Sequence, residues 1–472
     1  MTIRSSIMAS PPSSEKSSAL RRLISLGKLL LQDALAAVRP RPAPLVLSPF
    51  SLLSGQASAL VDGVGTQPPL VSGYAFHSRY VTAEAHRVRF DVRLAGLTAR
   101  AGKLNLAIYR LDENGVMLEP VRKGLSLLRL AAQGGRTSIS TTTSPGFSYA
   151  VMATLSDDAV ASADDVAIAM IGGEPSDALD ARFEAARRDF LAEPGTGMLA
   201  RVVVSRPATL AQPISQMCTA AQMGEPEYAE WCQRLGMQPY SHRKQWEFIF
   251  ICRALEYHGA LRPESHGLGF GVGIEPLPSA FAAAGCHIVA TDLPPEDDRA
   301  TIWNATDQLG SSLRGIHQPG LCDEKTFFER VSYRPVDMTA IPADLTGFDF
   351  TWSSCAYEHL GSIEAGLDFF ENSLACLKPG GVAVHTTELN LSSNSDTLDQ
   401  GATVIFRRRD FETLAERLIG QGHDVIPITF DCGETELDRV IDLPPYTNDP
   451  HLRLALLRWV ATSFGMIVRK KS

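Results

Sequence analysis

The sequence lacks C-x-x-C pairs, a long apolar run and an excess of basic residues. Its eight cysteines stand singly among apolar neighbours, which disfavours a disulfide framework and a zinc site and is typical of a reduced compartment. No bound metal is therefore expected. No run of about 18 uninterrupted apolar residues occurs, so no transmembrane helix is expected. The net charge of −9 would repel a phosphate backbone, so nucleic acid is not an expected partner.

The composition that is present fits a folded protein of several domains. The chain has 472 residues, of which 44% are hydrophobic and 21% are charged, close to ordinary soluble usage. At about 100–200 residues per domain, two or three domains are expected.

Residues 1–45 form a basic leader, with seven Lys and Arg against two acidic residues. Leucines at near-helical spacing between Leu20 and Leu35 predict an amphipathic helix. Such a helix binds an anionic membrane surface or docks on its own protein, and both interpretations stay open. Lys28 interrupts the apolar run, which disfavours an export signal. We therefore expect a cytoplasmic protein, peripheral at the inner face of the membrane if the leader binds lipid.

Residues 70–175 show the alternation of half-buried strands. The alternating runs are residues 88–94, 104–108, 149–153 and 166–168. With turn signals and no helices expected between the strands, the pattern predicts an antiparallel β-sandwich.

Residues 176–262 are predicted to form a helical connector. The predicted helices cover residues 180–188, 228–235 and 243–257. Because the last of these is unusually apolar for a surface helix, we expect it to pack against the domain that follows.

Residues 263–472 alternate strand-like and helix-like segments, which predicts an α/β domain with a parallel sheet covered on both faces. The predicted strands are residues 266–268, 287–292, 333–338, 348–354, 381–388, 424–429 and 465–469.

The strongest motif follows the first of these strands, where residues 269–273 read Gly-Phe-Gly-Val-Gly. Glycines at Gly269, Gly271 and Gly273 allow a tight turn and a close approach of a ligand to the backbone. A dinucleotide fingerprint would place glycine at the sixth position, which here is Ile274, so the spacing disfavours NAD.

An acidic residue follows each of the next two strands. Asp292 ends the second strand, where a carboxylate can accept both ribose hydroxyls of an adenosine-type ligand. Asp337 ends the third, where it can accept the exocyclic amine of adenine while Met338 packs on the ring. The order and spacing of the glycine turn and the two acids predict a nucleoside site.

Over residues 217–472 the chain resembles a class I S-adenosylmethionine-dependent methyltransferase. The matching stretches are GLGFGVGIEPL, VATDLPP, PVDMTAIP, FDFTWSSCAYEHLGS and LACLKPGGVAVHTTE, and SFGMIVRK is similar to the antiparallel last strand of the family. SQMCTAAQMGEPEYAEWC and HRKQWEFIFICRALE resemble a subgroup associated with bacterial surface-glycan biosynthesis.

This resemblance implies a Rossmann-like seven-stranded domain that uses S-adenosylmethionine as cofactor. The cofactor-binding residues it implies are Gly269, Phe270, Gly271, Gly273, Asp292, Leu293, Asp337, Met338 and Ser354. The family usually has an acid two residues before the first glycine, and this chain has Gly267 there. Contact with the amino group of the cofactor is then expected from backbone carbonyls or from Glu275.

Methyl transfer to a hydroxyl is helped by a general base, and the candidates past the fourth and fifth strands are Glu358, His359 and Glu388. An imidazole suits proton transfer at neutral pH, which makes His359 the preferred base; its alternative role is to hold the loop or touch the cofactor. Glu388 is expected to orient an acceptor hydroxyl, the alternative being a surface acid. His385, inside the fifth strand, is predicted to be a core histidine with its hydrogen bonds satisfied.

The predicted function is O-methylation of a small-molecule or glycan acceptor, with a sugar of a cell-surface glycan or its precursor as the expected acceptor. One alternative is a catalytically degenerate scaffold or binding subunit of a glycan-assembly complex. A second alternative, which the residue at position 274 disfavours, is an NAD-dependent oxidoreductase.

Overall fold

The structure is a computed structural model that describes most of the chain from residue 44 onward. The described residues are 44–51, 56–65, 71–83, 86–112, 116–144, 146–173, 191, 193–294, 297, 310, 312–444, 446 and 450–472. The predicted leader helix and the predicted helix at 180–188 lie outside them.

The N-terminal part consists of antiparallel strands and one short helix, α1 (Leu127–Ala132). The strands are β1 (Leu45–Leu47), β2 (Tyr74–His77), β3 (Val81–Thr82), β4 (Arg87–Ala95), β5 (Thr98–Ala101), β6 (Lys103–Leu111), β7 (Met117–Ser126), β8 (Arg136–Thr142), β9 (Ser148–Leu155), β10 (Val160–Ser162) and β11 (Asp165–Ile171). One sheet has the order β1-β11-β4-β8, and a second has β2-β9-β6-β7 with β3 beside β9. The expectation of no helix between the strands was wrong, because Leu127 and Leu130 of α1 bury their side chains against the strands.

The two sheets share one hydrophobic core. Strand β4 alternates as its sequence predicts, with Val88, Phe90, Val92 and Leu94 buried and the intervening arginines exposed. These side chains join residues of β6, β9 and β11 in a single cluster, so the apolar faces of both sheets bury each other.

The C-terminal part is built on a ten-stranded sheet with helices on both faces. Its strands are β12 (Gln216–Met217), β13 (His266–Phe270), β14 (His287–Asp292), β15 (Val331–Pro335), β16 (Phe348–Ser354), β17 (Leu377–Asn390), β18 (Asp424–Val425), β19 (Ile441–Asp442), β20 (Arg453–Leu456) and β21 (Trp459–Arg469). Its helices are α2 (Ala220–Met223), α3 (Pro226–Arg234), α4 (Arg243–Tyr257), α5 (Leu277–Ala283), α6 (Glu324–Arg330), α7 (Ile363–Ser373) and α8 (Arg408–Gly420).

The strand order places β13 at the point where the chain reverses direction across the sheet. Strands β15, β14, β13, β16 and β17 lie side by side and parallel, and β21 pairs antiparallel with β17. Because β13 has β14 on one side and β16 on the other, a crevice opens at its carboxyl end, where open α/β sheets bind their ligands.

The sheet has ten strands rather than the predicted seven because its last strand is longer than predicted. Strand β21 begins at Trp459, not at Gly465, and an eleven-residue strand exposes a long edge. Short strands cover that edge in three stretches, with β20 pairing at its start, β12 in its middle and β18 at its end. Strand β19 pairs in turn with β20.

Two hydrophobic clusters cover the two faces of this sheet. Helices α7 and α8 pack on one face, and α4 and α5 pack on the other. As its apolar sequence predicts, α4 contacts β16, β17 and β21. It lies so close to β21 that a Cβ atom at Gly465 would stand 2.0 Å from the ring of Phe250. None of the helices in the described part of the chain combines the length and apolarity that crossing a membrane requires.

Candidate active site

The glycine turn at residues 269–273 is a tight backbone bend, called the crook below, at the carboxyl end of β13. Gly271 and Gly273 have φ values of 58° and 50°, in the left-handed region that favours glycine. A Cβ atom at Gly271 would stand 2.8 Å from Cβ of Ala356 and 3.5 Å from Sδ of Met338. The crook therefore leaves no room for a side chain of its own at this position.

Two further glycines allow aromatic side chains to pack against β13. A Cβ atom at Gly267 would stand 2.4 Å from the ring of Phe350, and one at Gly269 would stand 2.4 Å from the ring of Trp352. No acidic side chain fits at position 267. The absence of an acid at position 267 thus has a packing cause.

Asp292 ties the end of β14 to the crook. Its Oδ2 accepts hydrogen bonds from the backbone N–H groups of Gly273 and Gly310, each at 3.0 Å, and its Oδ1 accepts one from Leu293 at 2.8 Å. Burial raises the pKa of this carboxyl group, while the three N–H donors oppose that change. A carboxylate offers about four acceptor positions, so Oδ1 keeps one for a ligand hydroxyl.

Asp337 and Met338 follow β15 and face the crook from its other side. Asp337 Oδ1 accepts hydrogen bonds from the backbone N–H and the hydroxyl of Thr339, at 2.8 and 2.7 Å, which fixes the turn after the strand. Met338 is buried, with its sulfur next to Gly271. The structure thus brings together the crook, Asp292 and Met338 at one edge of the sheet.

Two of the other predicted cofactor residues have side chains turned away from the crook. The ring of Phe270 is fully buried and packs edge-on against Phe369 at 5.2 Å, so only its backbone can meet a ligand. The hydroxyl of Ser354 donates to Glu247 Oε2 at 3.1 Å. Leu293 contributes its backbone N–H to Asp292.

Glu275 lies just beyond the crook and is buried. The indole N–H of Trp352 donates to its Oε1 at 2.6 Å, and no described residue donates to its other oxygen. Burial raises the pKa of Glu275 well above its usual range, and the nearby carboxylates of Asp292 and Glu247 add to that rise. A positive charge placed nearby would lower the pKa of Glu275 again, because it stabilises the ionised carboxylate.

A charged cluster lies across the ends of β16 and β17. The guanidinium of Arg243, at the start of α4, contacts Glu388 Oε1 at 2.5 Å, while Glu388 Oε2 is buried with no hydrogen-bond partner among the described residues. Burial alone would raise the pKa of Glu388, but Arg243 and Lys244 outweigh it and the net change is downward. Glu388 is therefore an ionised, buried acid rather than a surface one.

Glu247, one turn further along α4, joins the helix to three strands. Its carboxylate accepts hydrogen bonds from Ser354, Thr386 and Ser463, and from the thiol of Cys355 at 3.0 Å. Sequence reasoning missed Arg243 and Glu247. The available signal was the position of two opposite charges, four residues apart, at the start of a helix whose middle is unusually apolar.

His359 and Glu358 lie in a short 3₁₀ turn after β16. His359 Nδ1 is 2.8 Å from the carbonyl oxygen of Ala402 and 3.1 Å from the hydroxyl of Thr403, contacts that hold the loop. Glu358 is buried and accepts from the hydroxyl of Thr387 at 2.9 Å. His385 is a buried core histidine bonded to Ser353 and Ser373, which confirms its predicted role.

Three potential metal ligands also meet in this cluster. One ligand atom from each of Cys355, Glu358 and Glu388 lies within 4.8 Å of the others. Burial raises the pKa of the Cys355 thiol well above its usual range, and Arg243 already occupies Glu388. A cation in this cluster would lie beside the positive charge of Arg243, which opposes its binding, and the expectation of no bound metal stays a prediction.

Comparisons with known proteins give similarity only among solved structures. No protein-family model matches the sequence, and no curated protein matches it. The chain is similar to an O-methyltransferase family protein from Burkholderia thailandensis, with 12% identity and a TM-score of 0.29 over 49% of this chain and 60% of that one. It is similar to a SAM-dependent methyltransferase from Methanosarcina mazei, with 13% identity and a TM-score of 0.29 over 45% and 96% of the two chains.

A third similar structure is the 1,6-didemethyltoxoflavin-N1-methyltransferase of Burkholderia thailandensis, with bound 1,6-didemethyltoxoflavin and S-adenosylhomocysteine. The identity is 14%, and the TM-score is 0.26 over 46% of this chain and 81% of that one. We base the function on the geometry of the site itself, because similarity of this extent does not carry an activity from one protein to another.

Proposed function

We propose that the protein is an S-adenosylmethionine-dependent methyltransferase that methylates an oxygen of its acceptor. The observation that carries this proposal is the crook at Gly271, with the Asp292 carboxylate on one side and Met338 on the other. All three lie at the crevice beside β13.

The residues of the crook fit the parts of such a cofactor. Oδ1 of Asp292 has an acceptor position left for a ribose hydroxyl, and Met338 supplies an apolar, polarisable surface for adenine. Glu275 is the acid available to an amino group, since it follows the crook closely in the chain and no described residue donates to its Oε2. When bound, the cofactor would supply a methyl group already activated for displacement.

The charged cluster fits the acceptor side of the site. Glu388 Oε2 is a buried carboxylate oxygen without a partner among the described residues, so it can accept a hydrogen bond from an acceptor hydroxyl. Because Arg243 lowers the pKa of Glu388, this acid suits orientation better than proton removal. We extend the proposal to a sugar of a cell-surface glycan as acceptor, on the sequence resemblance alone.

The N-terminal sheets offer a means of positioning a bulky acceptor. Their residues Tyr80, Leu111 and Ala150 pack with Leu443, and the Tyr80 hydroxyl donates to the carbonyl of Pro444. This contact lies directly after Asp442, at the same end of the sheet as Glu388. A membrane contact through the leader remains a further prediction.

Isothermal titration calorimetry of the full chain tests the cofactor assignment. We expect binding of S-adenosylhomocysteine and none of NAD. Asp292→Ala should weaken binding by about 1–3 kcal/mol, because it removes an acceptor of ribose and the tie to the crook. The matched control is Asp344→Ala, an exposed acid paired with Arg334 at 2.6 Å, which should leave affinity unchanged.

A second measurement separates an enzyme from a degenerate scaffold. Purified protein is incubated with S-adenosylmethionine carrying a labelled methyl group and with surface-glycan fractions. Label in a glycan is expected. Cofactor binding with no labelled product in any fraction would favour the scaffold, and tighter binding of NAD than of S-adenosylhomocysteine would reject the cofactor assignment.

A further inference from the structure

A histidine and an aspartate that no local motif marks are paired beside the charged cluster. Asp442 ends β19, and His451 lies just before β20; Nδ1 of His451 is hydrogen-bonded to Oδ2 of Asp442. Their side chains are only 8% and 4% exposed. A carboxylate at Nδ1 fixes the ring orientation and the tautomer, which leaves Nε2 as the nitrogen that can accept a proton.

Neighbouring rings hold the imidazole of His451 in place. The ring of His242 stacks on it with centroids 4.7 Å apart, and the ring of Tyr446 meets it edge-on at 5.8 Å. Nε2 of His451 has no hydrogen-bond partner among the described residues, although the ring is almost enclosed. An oriented imidazole with an unused nitrogen is the arrangement expected of a general base.

The pair lies next to the groups assigned to the acceptor side. The backbone N–H of Arg243 donates to the carbonyl of His451 at 3.0 Å, while its guanidinium contacts Glu388 at 2.5 Å. Burial raises the pKa of Tyr446 to about 12, with Asp442 and Glu388 adding to the rise and Arg243 opposing it. One neighbourhood therefore contains the Asp442–His451 pair, Arg243 and Glu388.

We propose that His451, oriented by Asp442, accepts the proton of the acceptor hydroxyl, an inference that rests on the proposed methyl transfer. The O–H bond breaks and its proton passes to Nε2 of His451. The oxygen electron pair forms the new O–C bond, and the carbon–sulfur bond of the donor breaks with its electron pair on sulfur. Asp442, a positioning residue, stabilises the imidazolium that results.

The other histidines of this neighbourhood suit the role less well. His242 caps α4, since its Nδ1 accepts the backbone N–H of Lys244 at 3.0 Å. Burial, with His451, Arg243 and Lys244 adding to it, lowers the pKa of His242 to about 3. Nδ1 of His359 faces the neutral carbonyl oxygen of Ala402 rather than a carboxylate, so no negative charge at Nδ1 stabilises a protonated ring there. Among the described residues, the titratable groups that contact His451 are His242, Tyr446 and Asp442 through their side chains and Arg243 through its backbone.

The test compares His451→Gln and Asp442→Asn with His423→Gln, a control in the distant turn after α8. His451→Gln should lower the rate of labelled methyl transfer by about 10²–10⁴-fold, and remove the fall of the rate toward acid pH, while affinity for S-adenosylhomocysteine is kept. Asp442→Asn should give a smaller loss. The control should keep the wild-type rate.

Nitrogen-15 NMR of the cofactor-free protein gives a readout independent of turnover. The ring of His451 should carry its proton on Nδ1 in the wild type, and Asp442→Asn should abolish that preference. A wild-type ring protonated on Nε2, or a wild-type rate in His451→Gln, would overturn the proposal while the proposed function stands. A wild type that fails to bind S-adenosylhomocysteine would reject the proposed function and this inference together.

Discussion

Gly271 and Gly347 share a left-handed backbone but differ in what surrounds them. Their φ values are 58° and 84°; a Cβ atom would meet Ala356 at 2.8 Å at the first, and nothing within 4 Å at the second. A substitution should therefore be opposed by the left-handed conformation at both positions. At Gly271 alone, the added side chain would also meet a neighbouring atom and hinder the approach of a ligand.

A pair of alanine substitutions separates these effects. The left-handed conformation alone should cost both Gly271→Ala and Gly347→Ala about 1–2 kcal/mol of unfolding free energy. Gly271→Ala should lose more, and it should also weaken S-adenosylhomocysteine binding, because the new Cβ atom enters the crook. Urea denaturation and calorimetry measure the two quantities. Equal losses with unchanged affinity would show that the crook does not hold the ligand.

Helix α4 contributes charge to the site although most of its surface is apolar. Arg243 and Glu247 are buried and lie between the carboxyl ends of β16 and β17, where Arg243 also contacts the hydroxyl of Ser463 at 3.1 Å. Charges at this depth remain stable only while they are paired, since an isolated buried charge has lost its hydration.

Arg243→Met tests whether α4 supplies the positive charge that keeps the buried acid Glu388 paired. The variant keeps most of the side-chain volume but leaves Glu388 without its guanidinium, so we expect a loss of about 3–5 kcal/mol in unfolding free energy. Arg334→Met is the control, because Arg334 makes a bidentate contact with Asp344 on the exposed surface. That variant should lose about 0–1 kcal/mol. Similar losses in urea denaturation would contradict the proposed role of the buried pair.

Sequence patterns predicted the helices and strands that carry a periodic pattern of apolar residues of their own. Strands β14 and β16 have the predicted bounds, and α4 begins and ends where its apolar pattern indicated. By contrast, β19 and β20 are two and four residues long and were not predicted. Strand β20 pairs with the edge that β21 offers, and β19 pairs in turn with β20. Such pairing leaves no periodic signal in a short segment.

The same distinction applies to the site. The crook and Asp292 are local to one βα unit, so spacing alone could indicate them. Arg243 and Glu388 are 145 residues apart, and no local motif announces their contact. The side chains of Phe270 and Ser354 face away from the crook because alternate residues of a strand point to opposite faces, which the motif does not specify.

At the scale of the whole molecule, the main hydrophobic clusters of the N-terminal and C-terminal parts are separate from each other. One buried histidine, His77, lies in the described N-terminal part. Both ring nitrogens of His77 are buried without a hydrogen-bond partner among the described residues, and burial lowers its pKa to about 3. The rings of Tyr80 and Tyr109 lie about it at 6.2 and 6.0 Å.

The sign of the pH effect follows from linkage. An unfolded histidine takes a proton below about pH 6.5, whereas the folded His77 does not until about pH 3. Between these values the unfolded state binds more protons, so stability is lost as pH falls, by about 1.4 kcal/mol per unit. His77→Phe removes this dependence and also an unsatisfied polar group.

The two parts can be followed separately, since all five tryptophans lie at residue 231 or beyond. Hydrogen exchange in β2 and β9 reports on the N-terminal sheets, and tryptophan fluorescence reports on the C-terminal sheet. Relative to wild type, His77→Phe should stabilise β2 and β9 by about 2 kcal/mol more at pH 5 than at pH 8. The fluorescence transition should keep its pH dependence. An equal gain at both pH values would mean that His77 is protonated in the folded protein, and an equal shift of the fluorescence transition would mean that the two cores unfold together.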